Sequence, residues 1–469
     1  MQSDNIRTIS RIEEIEIPDD SPFMYDKLER AKYVETLTQI IEAFGEKGCV
    51  MSLSGDWGCG KTTFVKMWQK QLSKDYTTLY YNAWQNDFVE DPIIALVSEL
   101  KEIGADNSKF RNIITKLGRF FLAIGKDLLK NTTNVDLGAI EDIGNDSLKQ
   151  YAEQKTTIDE LKKALSEYVA SNTKKIPIVF FIDELDRCNP TFAVKTLERI
   201  KHLFDIPNIF FVLSISKKPL EAAIKGYYGS SEIDANEYLR RFIDFDFPIP
   251  QPELDTYCSY LLEQYNYESF FTQDRNSYNP DSDYGGFKTI VIKLCKLLNL
   301  NLRLVNKLLL QTRLATWGCE KNDQKIIGSV FFLCLWRITD TLFYERIVSS
   351  SYSLQELLEE CEKRLQTVFN NLRNYQTNQY RYLLFQVVEF ILRYNYTNGF
   401  CHDENFKQEV RTSIQNNFEN MPLIPRKLDV QVFNEALVFY IDKTNSYNIE
   451  SGLTHLISKI NYQYGLKSL

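Results

Sequence analysis

Histidine and cysteine are too few and too scattered in this sequence to form the common metal sites. Three histidines and nine cysteines occur among 469 residues, and no two cysteines form a C-x-x-C pair. A structural zinc centre or a disulfide framework needs such residues at short, regular spacings. We therefore expect neither, and scattered unpaired cysteines favour a reducing compartment.

Long apolar runs are missing as well. The most apolar stretches are Ile326–Trp336 and Tyr382–Leu392, whereas a membrane-spanning helix requires about 20 apolar residues. We expect both stretches to be buried helices. Residues 1–20 are polar and acidic and lack the apolar segment of a secretory signal. Together these absences predict a cytoplasmic protein with no integral membrane segment.

Positive charge is not in excess. The 55 Lys and Arg residues face 63 Asp and Glu residues, which gives a formal net charge of -8. The whole chain therefore has no electrostatic attraction to DNA or RNA, and nucleic-acid binding is unsupported, although a local basic groove would still allow it. A hydrophobic content of 44% and a charged content of 25% indicate a folded chain of two or three domains.

The first half of the chain alternates strands and helices, whereas the second half is almost continuously helical. A helix is predicted over Asp26–Phe44, and strands are predicted over residues 49–53, 77–81, 176–182 and 209–215. The strands at 176–182 and 209–215 are uniformly apolar, as in parallel sheets covered on both faces. In such sheets ligands bind at the carboxyl ends of the strands.

A phosphate-binding motif lies between the first of these strands and a helix predicted over residues 63–72. Residues 55–62 fit the pattern G-x-x-x-x-G-K-[ST], in which glycines let main-chain N–H groups face phosphates. Lys61 is expected to reach the β- and γ-phosphate oxygens, and Thr62 to offer its hydroxyl to Mg²⁺. The alternative is a chance glycine-rich turn. The predicted nucleotide contacts are Gly55, Asp56, Trp57, Gly58, Cys59, Gly60, Lys61, Thr62 and Thr63.

A second motif places two adjacent carboxylates after the apolar run Ile178–Ile182. Asp183 is expected to hold Mg²⁺, and Glu184 to orient and polarise the water that attacks the γ-phosphate. The alternative is an acidic strand end that caps the next helix, a role that Asp186 or Asn189 would fill. For Asp186 and Arg187, a site role and a structural role stay open.

Further polar residues follow these motifs. Ser214 and Ser216 end the strand at 209–215, where they either touch the γ-phosphate or simply begin a turn. Arg240 and Arg241 are candidates for catalytic arginines that neutralise charge in the transition state. Surface ion pairs with acidic neighbours, Glu237 or Asp244, are the competing interpretation.

Taken together, these residues resemble the KAP family of P-loop ATPases, which belongs to the AAA+-like division. The resemblance rests on four segments in the family's order: Trp57–Thr63, the Tyr81–Trp84 segment followed by Asp91-Pro92, Asp183–Cys188, and Tyr238–Arg240 before Phe247–Pro250. It covers residues 26–306. The family commonly has aspartate where Glu184 stands. Many members carry membrane-spanning helices where this chain has an insert at residues 101–172.

The resemblance implies roles that residue chemistry alone leaves open. Asp26, Leu28 and Arg30 correspond to a segment near the adenine. Arg303, within residues 301–306, corresponds to a sensor arginine of the helical lid, with a plain helix-surface arginine as the alternative. A tryptophan such as Trp84 is more often a core residue than a contact, and the resemblance does not decide between the two.

The predicted fold is α/β: a P-loop NTPase core with a mainly parallel sheet, a helical lid and a C-terminal all-helical domain. The predicted boundaries are residues 1–25 for an N-terminal segment, 26–250 for the core with its soluble helical insert at 101–172, 251–320 for the lid and 321–469 for the C-terminal domain. Only ordinary amphipathic patterns are evident in the last of these.

The predicted function is that of an Mg²⁺-dependent ATPase that assembles or remodels a partner complex or homo-oligomer. The family resemblance implies a setting in bacterial defence against phages or plasmids. The alternative is a nucleotide-gated scaffold or signalling switch with little turnover. A nucleic-acid motor is a weaker alternative, because the net charge does not support it. No nuclease, protease or deaminase pattern accompanies the motifs, so a partner protein would carry any effector activity.

Overall fold

A computed structural model gives the fold of most of the chain. It describes residues 16–89, 91–103, 108–116, 156, 159–171, 174–203, 206–251, 253–271, 284–316, 326–373, 378–397, 412 and 453–461. The chain divides after Gln251 into two compact units. Much of the insert predicted at 101–172 lies outside the described residues, as does much of the C-terminal domain predicted at 321–469.

The first unit is built on a five-stranded sheet in the order β2-β3-β4-β1-β5. Every neighbouring pair is parallel, which confirms the predicted α/β class. The first four strands agree with the predicted runs to within one residue at each end. The strands are β1 (Cys49–Ser54), β2 (Tyr76–Asn82), β3 (Lys175–Asp183), β4 (Ile209–Ile215) and β5 (Phe245–Pro248).

Helices cover both faces of this sheet. Those of the first unit are α1 (Ala31–Phe44), α2 (Lys61–Leu72), α3 (Pro92–Glu99), α4 (Pro190–Leu203), α5 (Lys217–Tyr228) and α6 (Ala235–Arg240). One core contains apolar residues of α1 and α2, and the other contains apolar residues of α3, α4, α5 and α6. Residues 108–116 and 159–169 are also helical, and their residues Ile113 and Leu165 join the second core. This layering explains why the central strands are apolar throughout.

The first helix begins five residues later than predicted. The carboxylate of Asp26 accepts hydrogen bonds from the N–H groups of Leu28 (3.2 Å) and Ala31 (2.7 Å), and Glu29 has a left-handed backbone with φ of 53°. This local turn competes with helical hydrogen bonding, as short acidic side chains often do. The prediction that the helix starts at Asp26 was therefore wrong, and α1 starts at Ala31.

The described part of the second unit is helical. Its helices are α7 (Leu254–Gln264), α8 (Tyr267–Phe271), α9 (Tyr284–Leu297), α10 (Leu302–Ala315), α11 (Ile327–Thr339), α12 (Thr341–Val348), α13 (Leu354–Arg373), α14 (Asn378–Thr397) and α15 (Leu453–Ile460). The apolar stretches 326–336 and 382–392 lie in α11 and α14 and are buried, as predicted.

Aromatic packing dominates the core of the second unit. The ring of Trp336 stacks on Phe332 at 5.2 Å and meets Phe390 edge to face at 5.0 Å. A buried ion pair lies on α14, where Arg393 donates to Glu389 at 2.7 Å. Among the helices that the structure describes, none is both long and apolar enough to span a membrane.

Candidate functional site

The loop between β1 and α2 carries the phosphate-binding motif at residues 55–62. Gly58 and Gly60 adopt left-handed backbones with φ of 77° and 87°, a conformation that costs glycine nothing but strains other residues. Gly60 immediately precedes the first residue of α2. A curled glycine loop followed by a helix N-terminus offers main-chain N–H groups and a favourable dipole to an anion. The backbone thus has the conformation that the motif predicts.

Lys61 is folded back over this loop. The residue is only 9% exposed, and its Nζ donates to the main-chain oxygens of Gly55 at 2.7 Å and Asp56 at 3.1 Å. No carboxylate among the described residues pairs with this ammonium group. A buried cation that contacts only neutral carbonyls is incompletely compensated, so a phosphate group would complete its environment. Thr62 and Thr63 are half-buried in the first turn of α2.

Asp183 lies at the carboxyl end of β3 and is 1% exposed. The hydroxyl of Tyr80 donates to its Oδ2 at 3.0 Å, and the N–H of Glu184 donates to its Oδ1 at 2.9 Å. The strand register places Asp183 between Asn82 of β2 and Ser214 of β4. These contacts fix the carboxylate at the edge of the sheet where parallel α/β proteins bind their ligands.

Glu184 has a left-handed backbone with φ of 60°, which is uncommon outside glycine and concentrates at functional sites. Its Oε1 accepts from Nη1 of Arg187 at 2.8 Å, and its Oε2 lies 3.5 Å from Nδ2 of Asn82. The guanidinium of Arg187 lies over the ring of Trp84, 5.3 Å from its centroid. Of the two alternatives for Trp84, core residue or contact, the structure favours the contact. Trp84 is 49% exposed, and its ring supports Arg187 instead of filling the core.

A hydrogen bond connects the two motifs directly. Nε1 of Trp57, in the phosphate loop, donates to Oδ2 of Asp186, which lies in the short helical turn Leu185–Arg187. Asp186 is 8% exposed. The helix-capping role falls to Asn189, whose Oδ1 accepts from the N–H of Thr191 at 2.9 Å. The structure therefore brings the phosphate loop and the acidic motif together, and Asp186 joins them.

The two serines after β4 have different surroundings. Ser214 is completely buried, and its hydroxyl has no hydrogen-bond partner among the described residues. Buried hydroxyls are normally bonded, so this one is available to a ligand or water beside Asp183. Ser216 is also buried, and it precedes α5 without capping it through its side chain.

The candidate arginines lie on two helices in different units. Arg240 ends α6 and pairs with Glu237 at 3.3 Å, with a side chain that is 69% exposed, and Arg241 follows it and is also exposed. This is the surface ion pair that the sequence offers as the alternative for Arg240. Arg303 is exposed in the first turn of α10, in the second unit.

Arg30 lies beside the phosphate loop. It is 3% exposed, and its Nη2 donates to the main-chain oxygen of Pro250 at 3.2 Å. Cys59 of the phosphate loop is near enough to act on its pKa. Burial lowers the pKa of Arg30 below its usual value. Its Nη1 has no partner among the described residues. Of the segment expected near the adenine, Arg30 therefore lies beside the loop, while Asp26 organises the start of α1.

Two polar residues of the site were missed by sequence reasoning. Tyr80 and Asn82 approach the acidic motif because β2 pairs with β3. Their position at the end of a predicted strand is the signal that could have identified them.

On β5, Asp246 accepts hydrogen bonds from Ser52 and Lys217. Burial alone would raise the pKa of Asp246, but the bonds from Lys217 and the serines keep it below its usual value.

The comparison with protein families gives one match. The KAP family P-loop domain matches residues 30–317, which is more than half of the chain and includes every motif described above. Among curated proteins, none matches significantly.

Solved structures that match this chain include the following two. The Cdc6p structure from Pyrobaculum aerophilum is 12% identical over 92% of this chain and 98% of that chain, with a TM-score of 0.38. The Aeropyrum pernix ORC2 protein, in ADPNP-ADP complexes, is 13% identical over 87% of this chain and 95% of that chain, with a TM-score of 0.34. Similarity at these scores adds no argument about the chemistry of the site.

Proposed function

Because this chain belongs to the KAP family of P-loop NTPases, we propose that it is an Mg²⁺-dependent ATPase that assembles or remodels a partner complex. The observation that supports this most strongly is the hydrogen bond between Trp57 and Asp186. It joins a loop holding the buried ammonium of Lys61 to a strand end holding the buried carboxylate of Asp183. A phosphate-binding group and a metal-binding group therefore belong to one site.

The residues present fit Mg-ATP. The ammonium of Lys61 contacts main-chain carbonyls, so the charge of a triphosphate would be its natural counterpart. Thr62 and Asp183 supply the hydroxyl and carboxylate oxygens that Mg²⁺ prefers. Bound Mg²⁺ would neutralise part of the negative charge on the β- and γ-phosphates. The unpartnered hydroxyl of Ser214 adds a neutral donor for the γ-phosphate or the attacking water.

In this proposal each residue has a defined task. Lys61 and the loop N–H groups hold the phosphates, and Glu184 accepts a hydrogen bond from the attacking water and orients its lone pair toward the γ-phosphorus. The new P–O bond forms as the bond to the β–γ bridging oxygen breaks, giving ADP and phosphate, and the water proton ends on phosphate. Positioning and charge stabilisation supply most of the rate enhancement in such reactions.

Exposed arginines would complete the site. Arg240 and Arg241 are proposed to neutralise charge in the transition state, from the same chain or from a neighbouring copy, and Arg303 to sense the nucleotide. The pair between Arg240 and Glu237 is solvent-exposed, and pairs of this kind contribute little energy. Arg240 can therefore leave Glu237 at small cost.

The proposed setting is the bacterial cytoplasm, in defence against phages or plasmids, as the family resemblance implies. A partner protein or a homo-oligomer of this chain would respond to the nucleotide state, because switching proteins convert ligand binding into assembly or release. The partner would also supply any effector activity.

A steady-state assay of the full chain tests the enzymatic proposal. Phosphate release from ATP is measured with and without Mg²⁺, with GTP in parallel, for the wild type and for Glu184→Gln. We expect multiple turnovers that require Mg²⁺ and that fall by at least about 100-fold in Glu184→Gln. An active Glu184→Gln variant would refute the role of this residue.

The same assay separates the enzyme from the scaffold alternative. Tight ATP binding with negligible turnover by the wild type would indicate a nucleotide-gated scaffold. Size measurement by light scattering, with and without a slowly hydrolysed ATP analogue, then tests assembly. A monomer under both conditions would count against arginines acting between copies.

A further inference from the structure

The short helical turn Leu185–Arg187 contacts both halves of the proposed site through two adjacent side chains. Asp186 points to the phosphate loop, where it accepts a hydrogen bond from Trp57. Arg187 donates to Glu184 at 2.8 Å and lies over the ring of Trp84. Neither residue is needed for binding phosphate or Mg²⁺ directly. Their contacts therefore need a separate explanation.

Asp186 is a buried carboxylate, 8% exposed, with a polar partner in the loop. Burying a carboxylate is costly unless it is well bonded, and the bond to Nε1 of Trp57 recovers part of that cost. The indole itself is 46% exposed, so core packing does not fix its orientation. The hydrogen bond to Asp186 holds Trp57, which lies two residues after Gly55 in the phosphate loop.

Arg187 holds Glu184 in a comparable way. The side chains of Arg187 and Glu184 are 24% and 14% exposed, so their pair is better shielded than a surface pair. A planar guanidinium stacked on an aromatic ring loses much of its freedom. The Trp84 ring restricts the movement of the Arg187 guanidinium, and the hydrogen bond from that guanidinium then orients the carboxylate of Glu184. Activated nucleophiles and bases are commonly oriented by a third group of this kind.

We propose that the turn Leu185–Arg187 positions the two halves of the site separately. Asp186, acting through Trp57, pre-organises the phosphate loop for nucleotide binding, and Arg187, supported by Trp84, positions Glu184 for hydrolysis. Both are positioning residues, since each acts through another side chain. The proposal rests on the proposed ATPase function, and it predicts that changes at two neighbouring residues affect different steps.

The role proposed for Asp186 is tested by measuring nucleotide binding under conditions in which no hydrolysis takes place. Affinity of the full chain for a fluorescent, non-hydrolysable ATP analogue is measured with Mg²⁺ for Trp57→Phe, Asp186→Ala and the double variant. Trp57→Phe keeps the ring and removes only the N–H donor. Each single change should weaken binding by about tenfold, and the double variant should be no weaker than the worse single one, because both remove the same contact. Wild-type affinity in Trp57→Phe, or additive losses, would overturn this half.

The Arg187 half is tested by the separation of kcat from KM. Arg187→Ala should lower kcat by about 10- to 100-fold with KM nearly unchanged, since only the orientation of Glu184 is lost. Arg187→Lys keeps the positive charge but lacks the planar guanidinium, so its kcat should lie between those of Arg187→Ala and the wild type. Trp84→Ala should lower kcat less than Arg187→Ala does, because the Arg187 side chain is still present. Trp84→Phe, which keeps an aromatic ring, should lower kcat less than Trp84→Ala does. A kcat in Arg187→Ala that equals or exceeds the wild-type value would overturn this half.

Two controls complete the design. Arg346 lies over the ring of Tyr352 at 5.8 Å in the second unit, so Arg346→Ala removes a similar stacked arginine outside the site and should change neither affinity nor kcat. Wild type and Glu184→Gln are assayed in parallel. If the wild type releases no phosphate above a protein-free blank, the proposed ATPase function fails and the Arg187 half fails with it. If the wild type is active and all turn variants match it, only the present inference fails.

Discussion

The two units of this protein handle buried charge in opposite ways. In the first unit, the buried cations contact neutral groups: Lys61 contacts two main-chain carbonyls, and Arg30 contacts the carbonyl of Pro250. In the second unit, the buried residues Glu389 and Arg393 bond to each other at 2.7 Å. All four side chains belong to residues that are at most 9% exposed. The buried charges of the two units are therefore similarly shielded from solvent, but those of the first unit contact neutral groups and those of the second contact each other.

This difference indicates what each buried charge is for. A charge paired inside the protein contributes to structure or to its specificity, and breaking the pair is costly. A charge that contacts only carbonyls keeps most of its attraction for an external anion. The first unit thus keeps its buried cations available for a ligand, whereas in the second unit a buried cation is paired with a carboxylate of the same helix. Two substitutions test this comparison and two more test other features of the first unit, in order of decreasing effect.

The largest effect is expected in the second unit. Arg393→Leu breaks the buried ion pair with Glu389, which should cost about 3–5 kcal/mol in the free energy of unfolding. Urea denaturation measures this. The matched control is Lys296→Leu, which breaks an exposed pair with Asp255 and should cost under about 1 kcal/mol. Equal losses in the two variants would remove the distinction between the units.

The next effect concerns binding rather than stability. Lys61→Ala should weaken the binding of an ATP analogue on the order of 100-fold, because a charged donor to the phosphates is lost. The free energy of unfolding should not fall, because the removed ammonium has no ion partner among the described residues. Calorimetric titration and denaturation are the measurements. Lys175→Ala, which removes an exposed pair with Glu42, is the control and should leave binding intact. Unchanged binding in Lys61→Ala would refute the phosphate site.

A smaller effect is expected from the loop backbone. Gly60 has φ of 87°, so Gly60→Ala should lower the free energy of unfolding by about 1–2 kcal/mol and weaken nucleotide binding as well. Gly226 offers a matched control, because it lies in α5 and a Cβ added there meets nothing within 4 Å. Gly226→Ala should be neutral or stabilise by up to about 1 kcal/mol. A stable Gly60→Ala variant with full affinity would contradict the assigned loop conformation.

The smallest effect is a dependence of stability on pH. The pKa of Asp246 in the folded protein is below its usual value, because hydrogen bonds from Lys217 and two serines outweigh the effect of burial. The stabilisation is therefore present above the unfolded-state pKa and is lost as the pH falls through the folded-state pKa.

Urea denaturation from about pH 6 to about pH 3 compares the wild type with Asp246→Asn. The variant should lose less stability over this range. The difference should be under about 1 kcal/mol, because Lys217 and Asp246 are about one third exposed. Parallel curves would show that Asp246 does not contribute to the acid sensitivity.

The sequence predicts the sheet of the first unit well because its central strands are long apolar runs. β3 and β4 are buried along nearly their whole length, and such runs are readily recognised. β5 was not predicted because it has four residues, alternates between half-buried and exposed positions and ends in a proline. Its pairing with β1 is a long-range contact that local pattern does not reveal.

Part of the candidate site was also predictable, because some of its residues lie in recognisable local patterns. The glycine loop and the residues Asp183 and Glu184 follow local patterns that reflect their chemistry. The hydrogen bond from Trp57 to Asp186 and the contact of Arg187 with the Trp84 ring join segments far apart in the chain. No spacing rule predicts them. The exposure of Trp84 was not predicted, because large aromatic residues usually fill cores.

The position of β2 at the outer edge of the sheet has a consequence for how this architecture can vary. The chain between α3 and β3 is anchored by residues such as Ile113 and Leu165, which join the core. Closure entropy grows slowly with chain length, so each doubling of the number of residues between two fixed points costs only about 0.6 kcal/mol. An engineer can therefore insert a reporter between Ile113 and Leu165 while the nucleotide chemistry stays intact.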